Sequence, residues 1–505
     1  MTRYIAAADC GTTGAKAVIY DLTGEPIGEG YQEYGLSYPR PGWVEQDPDM
    51  LREACVRVIK EAVQAAGVDP AQIISLCFST QRCTLVPVDA DGNSLRAAIS
   101  WQDNRTDQQC EEIRVKIGAD RFYDETGLPV ANVWTLPKIM WLRDNDPDVF
   151  RKASKFVNIQ AYLNKALGAD DFYDDFSNAS LHGLMSLGRR EWIDEFAQAL
   201  GIPCEKLPTL VGCGVRIGEL SESAANETGL RPGTPIVSGG GDQQCAAVGC
   251  NVLRDGDCEV TLGTAGVTIC SLDAPYLDPD RVIPCLVHAA NGKYTCEGLQ
   301  NAAGASLKWL RNILQQAHPS TQIDYDFMVD LAKGSELDAR GLIFLPYLAG
   351  AAAPNWDGSA RGTLVGMSLQ TDLGDVVRAV LEGVSLETAW VFESFKKRGI
   401  RINNVKLSGG GAKSELWAQL QADIYGIAVE RLKVDDATIL GAAILGALGV
   451  GAFETIEDAA AAMVHTVRQY EPQTARTEQY QKRLQSFKAL YLTLREFQAT
   501  SVEGA

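Results

Sequence analysis

Short apolar runs separated by glycine-rich turns mark the beginning of the chain. Residues 4–20, YIAAADCGTTGAKAVIY, place two runs rich in alanine, isoleucine, valine and tyrosine on either side of GTTG. Such runs around a turn predict a strand, a turn and a second strand. The following DLTGEPIG predicts another turn and a third strand.

Helical spacing replaces this pattern at residues 49–66, where apolar residues recur three and four positions apart in DMLREACVRVIKEAVQAA. The next apolar run, IISLCFST at 73–80, predicts a short buried strand. Residues 257–272, DCEVTLGTAGVTICSL, repeat the order of the opening: strand, Gly-Thr turn, strand. Residues 405–426 and 428–448 each predict a strand, a loop and a helix.

Two halves that each open with a glycine-threonine hairpin predict an α/β fold of two domains facing a cleft. A chain of 505 residues is also too long for a single hydrophobic core. We place the first domain at 1–248 and the second at 249–455. Residues 456–505 are predicted to form a charged helical tail packed on the second domain.

Composition and charge exclude several classes of protein. The chain is 46% hydrophobic and 22% charged, as in ordinary globular proteins. Its net charge of -19 repels phosphate backbones, and no basic patch is visible, so nucleic-acid binding is not expected. The uncharged stretch at 437–453 is shorter than the roughly 20 apolar residues of a membrane span, which favours a buried helix.

The cysteines and histidines predict neither a metal site nor disulfides. The 13 cysteines include no CxxC pair, and four histidines are dispersed along the chain. We interpret Cys77, Cys258 and Cys270 as small core residues. This usage, with an N-terminal apolar stretch too short for a signal peptide, favours a cytoplasmic location.

The two glycine-threonine turns are candidate anion sites. Gly11, Thr12 and Thr13 offer successive backbone N–H groups and hydroxyls, which can form a nest for phosphate, and Lys16 adds positive charge. Asp9, just before the turn, can hold hydrated Mg²⁺. Such a hairpin alone is more often structural, but a second one with Gly263 and Thr264 favours a polyphosphate ligand. A Walker A loop, GxxxxGK[ST] before a helix, is absent.

The stretch SGGGAKSE at 408–415 offers another candidate surface, because Gly410 and Gly411 let a flat ring lie against the backbone. Ser414 either adds N–H groups at a helix start or simply caps that helix.

Polar groups suited to a polyhydroxyl ligand cluster at predicted strand ends, where α/β proteins place ligands. They are Gln81, Arg82, Trp101 and Asp103. The alternative for Asp103 is a surface salt bridge with Arg105.

Asp242 follows three glycines in VSGGGDQQCAAVG, residues 237–249. It could be a helix N-cap, but a cap does not require three preceding glycines. We interpret the glycines as clearing space for a substrate, with Asp242 accepting a proton from a hydroxyl that attacks a phosphoryl group.

These motifs together resemble the FGGY family of carbohydrate kinases, which has the actin/hexokinase-like (ribonuclease H-like) fold. The resemblance covers nearly the whole chain. It rests on DCGTTGAKAVIYD, PGWVEQDP, QRCTLVPVD with SWQDNRT, GGGD, LGTAG, NAAGASLKWLR, GGGAKSELWAQLQADIYG and DDATILGAAILGALG, in that order.

The resemblance implies ATP- and Mg²⁺-dependent phosphorylation of a sugar or polyol. It places Asp242 at the catalytic base, with Gln243 beside it at the substrate, and Asp9 at Mg²⁺. The residues implied in ATP binding are Gly11, Thr12, Thr13, Lys16, Gly263, Thr264, Gly304, Lys308, Gly410, Gly411 and Ser414.

The motifs leave the sugar open. Gln81-Arg82 and APNWDGSARG resemble glycerol kinases, but Cys83 and Val133 replace the glutamate and tyrosine expected there. GGGDQQCAAVG, LGTAGV and the run at 134–138 resemble xylulokinases, although Arg82-Cys83 replaces Met-His and three alanines at 351–353 replace Glu-Arg-Thr. We therefore favour a ketopentose such as xylulose, with glycerol or another polyol as the alternative.

A nucleotide-dependent switch or a sugar sensor of the same superfamily is the non-enzymatic alternative. The substrate cluster and Asp242 argue against a switch, and a degenerate sensor would be expected to lose Asp9 or Asp242. The expected partner is a small sugar or polyol, with no nucleic acid or membrane. A homodimer remains open.

Overall fold

The computed structural model describes residues 2–433 and 436–502. Its strands are β1 (Tyr4–Cys10), β2 (Gly14–Asp21), β3 (Pro26–Glu33), β4 (Glu45–Gln46), β5 (Ile73–Thr80), β6 (Val86–Val88), β7 (Ala98–Ile99), β8 (Lys155–Val157), β9 (Tyr173–Asp175), β10 (Thr209–Val211), β11 (Arg216–Glu219), β12 (Pro235–Gly241), β13 (Asp257–Leu262), β14 (Gly266–Leu272), β15 (Cys285–Val287), β16 (Tyr294–Gln300), β17 (Ile343–Leu345), β18 (Thr363–Val365), β19 (Asn404–Ser408), β20 (Val429–Leu432) and β21 (Thr466–Tyr470).

Its α-helices are α1 (Pro48–Ala66), α2 (Asp107–Lys116), α3 (Ala119–Thr126), α4 (Thr135–Asn145), α5 (Pro147–Lys152), α6 (Ile159–Leu167), α7 (Phe176–Ala179), α8 (Asp194–Ala199), α9 (Glu222–Thr228), α10 (Asp242–Gly249), α11 (Gly304–Ala317), α12 (Tyr325–Lys333), α13 (Leu373–Lys397), α14 (Glu415–Tyr425), α15 (Ala437–Gly449), α16 (Ile456–Met463) and α17 (Thr474–Val502). Short 3-10 helices occupy Pro70–Gln72, Cys204–Lys206, Leu337–Gly341 and Gly410–Lys413. None of the described helices is both long and apolar enough to cross a membrane.

The chain forms two compact units. The first comprises residues 1–253, 271–296 and 436–465, and the second comprises 254–270, 297–435 and 466–505. Each unit is built around strands and helices, so the α/β prediction is confirmed. The linear domain boundaries at 248/249 and 455/456 stay a prediction.

The sheet of the first unit has the strand order β11-β12-β5-β1-β2-β3. β1 and β2 form the predicted antiparallel hairpin, whereas β1, β5 and β12 run parallel to one another. Their carboxyl ends therefore meet at one edge, where Asp9 pairs with Ser79 and Gly241 pairs with Thr80. This edge brings Asp9 and the GGGD motif into the same neighbourhood.

The predicted buried helix is confirmed as α15, which packs closely on α10. A Cβ built on Gly441 would overlap the backbone of Cys245, and one built on Gly249 would overlap the backbone of Ala437. The small residues of this stretch therefore serve close helix packing within the first unit.

The second large sheet has the order β15-β16-β14-β13-β19-β20-β21. β13 and β14 form the predicted second hairpin, in which Cys258 lies opposite Cys270. The two sulfurs are bonded, so the expectation of no disulfides was wrong, whereas the interpretation of both cysteines as buried core residues is confirmed. The predicted helical tail contains α16 and α17 but also a strand that was not predicted, because TVRQY forms β21 and pairs antiparallel with β20.

Glu387 of α13 provides a pH-dependent prediction in the second unit. The residue is 2% exposed, and burial raises the pKa of its carboxyl to about 8. Because the folded state holds the proton more tightly than the unfolded state, this contribution to stability is complete below the unfolded pKa of 4.5 and is lost as pH rises through 8. Glu387→Gln should reduce the fall in Tm between pH 5 and 8.5 by about 5 °C or more.

Glu393→Gln on the same helix is the matched control for thermal unfolding. Although burial opposes it, hydrogen bonds from Lys397 and Lys488 lower the pKa of Glu393. Replacing the ionised Glu393 carboxylate by the neutral amide should therefore reduce Tm at neutral pH. Parallel Tm–pH curves for the wild type and Glu387→Gln would contradict the assignment of a buried, protonated Glu387.

Candidate active site

The carboxylates of Asp9 and Asp242 lie at the carboxyl edge of the first sheet. Asp9 is the penultimate residue of β1 and accepts a hydrogen bond of 2.8 Å from the Ser79 hydroxyl. Its pKa is raised well above the usual value, first by burial and then by the negative charges of Asp436 and Asp242. Two further carboxylates thus act on Asp9, at the place where the sequence predicted a cation.

Asp436 was missed by the sequence analysis as a member of this group. It precedes α15, and its side chain accepts a hydrogen bond from the Ile439 N–H at the start of that helix. Lys16 Nζ lies 3.8 Å from Asp436 and 3.3 Å from Glu29. The motif DDATILGAA contains the acid, but only the fold shows that its charge acts on Asp9.

The first glycine-threonine turn has its carbonyl groups fixed from one side. The carbonyl oxygen of Gly11 accepts hydrogen bonds from the Tyr34 hydroxyl, at 2.7 Å, and from Gln81 Nε2, at 3.2 Å. The carbonyl oxygen of Thr12 accepts one of 2.9 Å from Gln46 Nε2. Gln81 is 1% exposed and also donates to Gln46, so it supports the turn from inside the unit.

The three glycines before Asp242 make room for protein atoms. A Cβ on Gly239 would overlap the carbonyl oxygen of Phe78 on β5, and a Cβ on Gly240 would lie 3.0 Å from the hydroxyl of Ser177. At Gly241 it would lie 2.7 Å from Arg82 Cδ. The close approach predicted from the sequence exists, but the neighbouring strand and two side chains make it, which differs from the expected approach of a substrate.

Arg82 contacts Asp242 directly. Its Nε lies 3.1 Å from Asp242 Oδ1, and its Nη1 donates to Gln244 Oε1 at 3.3 Å. Asp242 is the first residue of α10 and also accepts from the Gln243 N–H at 2.8 Å. These contacts hold the carboxylate in a defined orientation at the end of β12.

Trp101 and Asp103 have different environments. Trp101 is 38% exposed, and its indole N–H donates to the Thr12 hydroxyl at 2.9 Å, which joins two predicted site residues. Asp103 is fully buried and accepts hydrogen bonds from Val44 N and from the Arg105 guanidinium. The geometry therefore argues against a direct contact of Asp103 with a ligand, and its ion pair with Arg105 is buried rather than superficial.

Lys138 is a buried cation behind the Gln81-Arg82 segment. Its Nζ donates to the carbonyl oxygens of Cys83 and Val133 at 3.0 and 2.5 Å. Burial lowers the pKa of Lys138 to about 8. The two positions that differ from glycerol kinases are therefore tied to each other through one ammonium group. Cys83 holds a positive φ of 60°.

In the second unit, the other glycine-threonine turn is joined to the start of α11. Gly304 N donates to the Gly263 carbonyl at 2.8 Å, and Ala305 N donates to the Thr264 carbonyl at 3.1 Å. A Cβ on Gly304 would overlap that Gly263 oxygen. Lys308, one turn further along α11, is exposed.

The third glycine-rich motif leaves backbone accessible at one position. Apart from the two residues that flank it in the sequence and the backbone of its own 3-10 helix, no described residue has a heavy atom within 4 Å of a Cβ built on Gly410. A Cβ built on Gly411, in contrast, would lie 2.7 Å from Leu262 Cβ. Ser414 caps α14, its hydroxyl accepting from Trp417 N at 3.2 Å. Of the two roles that the sequence allowed for Ser414, the structure therefore shows the helix cap.

Comparison with known protein families identifies the family to which the chain belongs. Residues 4–249 match the N-terminal domain of the FGGY family of carbohydrate kinases, and residues 258–450 match its C-terminal domain. The chain belongs to the FGGY family of carbohydrate kinases. It is therefore an ATP-dependent carbohydrate kinase, as the motifs predicted.

Relatives of this kinase include two groups. The chain is 31% identical to a xylulose kinase of Staphylococcus epidermidis over 97% of both chains. It is 33% identical to a glycerol kinase of Chloroflexus aggregans, over 91% of this chain and 92% of that one. A ligand-bound xylulose kinase structure from Lactobacillus acidophilus superposes with a TM-score of 0.89 and 26% identity, over 97% of this chain and 98% of the other.

Proposed function

We propose that this carbohydrate kinase phosphorylates a hydroxyl of a ketopentose such as xylulose, with Asp242 as the general base. The observation that carries the proposal is the position of Asp242, which begins α10 directly after the parallel strand β12 and is oriented by Arg82 and Gln243 N. A carboxylate held in this way can accept the proton of an attacking hydroxyl.

Gln243 supports the placement of a polyhydroxyl acceptor beside Asp242. Its Oε1 is buried and has no hydrogen-bond partner within residues 2–433 and 436–502. A buried carbonyl oxygen without a partner is unfavourable, and a sugar hydroxyl would satisfy it. We propose that Gln243, Arg82 and Trp101 contact the sugar, and that Gln81 acts through the turn it supports.

A ketopentose is favoured over glycerol by residues 83 and 133. Cys83 is buried, with Sγ 3.9 Å from the Leu181 carbonyl oxygen, and Val133 has no polar side-chain atom. Neither offers the hydrogen bonds expected from the glutamate and tyrosine of glycerol kinases. The first relative described above is named a xylulose kinase, which supports the same choice. Glycerol remains the second candidate because a relative of similar identity carries that name.

Asp9 offers carboxylate oxygens to Mg²⁺, although residues 2–433 and 436–502 contain no cluster of three or more His, Cys, Asp or Glu side chains able to hold a metal ion by themselves. Oxygen ligands suit this hard cation. Burial first, and then the negative charges of Asp436 and Asp242, raise the pKa of Asp9, and a bound cation would favour the ionised carboxylate. We propose that Asp9 holds Mg²⁺, with Asp436 nearby. The ion would supply charge neutralisation of the phosphates.

ATP contacts are proposed for residues of all three glycine-rich motifs. The fixed carbonyl groups of the first turn leave the amides of Thr12 and Thr13 to face a phosphate, and the open backbone at Gly410 suits a flat ring. The full proposed set is Gly11, Thr12, Thr13, Lys16, Gly263, Thr264, Gly304, Lys308, Gly410, Gly411 and Ser414. A cytoplasmic location remains part of the proposal, as does a homodimer.

A panel of acceptors tests the proposed substrate. ADP release with Mg-ATP should be stimulated most strongly by D-xylulose or another ketopentose when D-xylulose, D-ribulose, L-ribulose, glycerol and erythritol are compared by kcat/KM. A preference for glycerol would contradict the weight placed on Cys83 and Val133. Stimulation by none of these would contradict the ketopentose assignment.

A further inference from the structure

The peptide bond between Gly240 and Gly241 is held at both ends by side chains. Gln160 Nε2 on α6 donates to the Gly240 carbonyl oxygen at 3.1 Å, and Gly241 N donates to the Ser177 hydroxyl oxygen at 3.1 Å. This peptide leads directly into Asp242. Its pairing with β5 follows a register irregularity between Val237 and Gly240, so the regular ladder does not position it by itself.

Asp175 determines how the Ser177 hydroxyl is used. The hydroxyl donates to Asp175 Oδ1 at 2.5 Å, and Asp175 is fully buried. A hydroxyl has one proton, so donation to Asp175 leaves its lone pairs to accept from Gly241 N. Asp175 is itself fixed, because Oδ1 also accepts from the backbone N–H groups of Ser177 and Asn178, each at 3.0 Å.

Gln160 provides the second attachment and ties it to the neighbouring strand. Its Nε2 also donates to the Phe78 carbonyl oxygen on β5 at 3.1 Å, and the residue is 1% exposed. The same amide group therefore bridges β5 and β12 at the point where Gly239 brings them unusually close. Both attachments are buried, so water does not replace either one readily.

We propose that Ser177, oriented by Asp175, and Gln160 are positioning residues that set the location of the Asp242 carboxylate. They do not touch the reacting atoms. They act by fixing the peptide before Asp242, and displacement of a general base by about 1 Å is enough to lower turnover about 100-fold. The inference rests on the proposed role of Asp242.

Ser177→Ala tests the proposal, with Ser180→Ala as the matched control. Ser180 is equally buried, and its hydroxyl donates locally, to the Ser177 carbonyl oxygen at 2.7 Å. Ser177→Ala should lower kcat about 10- to 100-fold with KM changed less than about threefold, while Ser180→Ala should keep the wild-type kcat. Gln160→Met should lower kcat in the same direction.

Hydrogen exchange gives a readout that does not depend on activity. The peptide containing residues 237–249 should exchange its amide hydrogens faster in Ser177→Ala than in the wild type. In Ser180→Ala its exchange rate should equal that of the wild type. Equal exchange in all three proteins, or a Ser177→Ala kcat equal to that of the wild type, would overturn the inference.

The double variant Ser177→Ala/Asp242→Asn separates the inference from the proposed function. If Ser177 acts through Asp242, adding Ser177→Ala to Asp242→Asn should leave the residual turnover unchanged. A further loss by the same factor as in the wild-type background would overturn the inference alone. Wild-type turnover in Asp242→Asn would instead refute the role of Asp242.

Discussion

Asp242→Asn is expected to lower kcat about 1,000-fold or more while leaving the fold intact. The change replaces one carboxylate oxygen by an amide nitrogen of similar size, so the side chain still fits beside Arg82. It removes the group that accepts the proton, and general bases contribute about 100- to 10,000-fold to turnover. The measurement is sugar-dependent ADP release, with circular dichroism to establish that the variant is folded.

Asp194→Asn is the matched control. Asp194 is also the first residue of a helix, α8, in the same unit, and it is exposed. It should retain wild-type kcat and KM, which separates loss of an acid at a helix start from loss of the base. If Asp242→Asn kept more than a tenth of the wild-type kcat, the assignment of Asp242 as base would be refuted.

Gly239→Ala is expected to impair both stability and activity. The added Cβ would overlap the Phe78 carbonyl oxygen and lie 3.2 Å from Cys77 Sγ, so β12 would have to move away from β5. The obstacle is backbone rather than a flexible side chain, so the cost should lie at the upper end of the roughly 1–3 kcal/mol that overpacking typically takes. Because Asp242 directly follows the displaced strand, kcat per folded molecule should also fall.

Gly188→Ala controls for adding a methyl group to the first unit. Among the described residues other than the two that flank Gly188, none has a heavy atom within 4 Å of a Cβ built at position 188. Its Tm and kcat should match those of the wild type, whereas thermal unfolding should begin several degrees lower in Gly239→Ala. Equal Tm values for the two variants would show that β5 and β12 do not need a glycine at 239.

Local patterns predicted the elements that carry their own signals. Both glycine-threonine hairpins, α1, the buried helix α15 and the strand, loop and helix around Ser414 form where apolar periodicity and turn residues placed them. These segments are long or have clear turn residues at their ends, so the structure favoured by the local sequence is also the one that tertiary packing stabilises. β21 was missed because TVRQY is short and mostly exposed, and only its pairing with β20 makes it a strand.

The candidate site depended more on contacts between distant residues. Asp9 and Asp242 were predicted because their flanking glycines are visible in the sequence. Asp436 was missed, since its proximity to Asp9 exists only once α15 packs on β1 and β5. The Cys258–Cys270 bond likewise depends on strand register, which one sequence does not reveal.

The role of the glycines before Asp242 shows the same limit. Their number predicted a close approach, and the identity of the approaching atoms required the positions of Phe78, Ser177 and Arg82. Asp103 is the converse case, because a polar motif at a strand end turned out to be buried against Arg105 and Val44.

The most direct test follows the phosphoryl group itself. ³¹P NMR of Mg-ATP with D-xylulose should show a sugar phosphate resonance growing with ADP in the wild-type protein, and neither growing at a comparable rate in Asp242→Asn. Sugar phosphate formed at the wild-type rate by Asp242→Asn, or ADP and inorganic phosphate without any sugar phosphate in the wild type, would contradict the account.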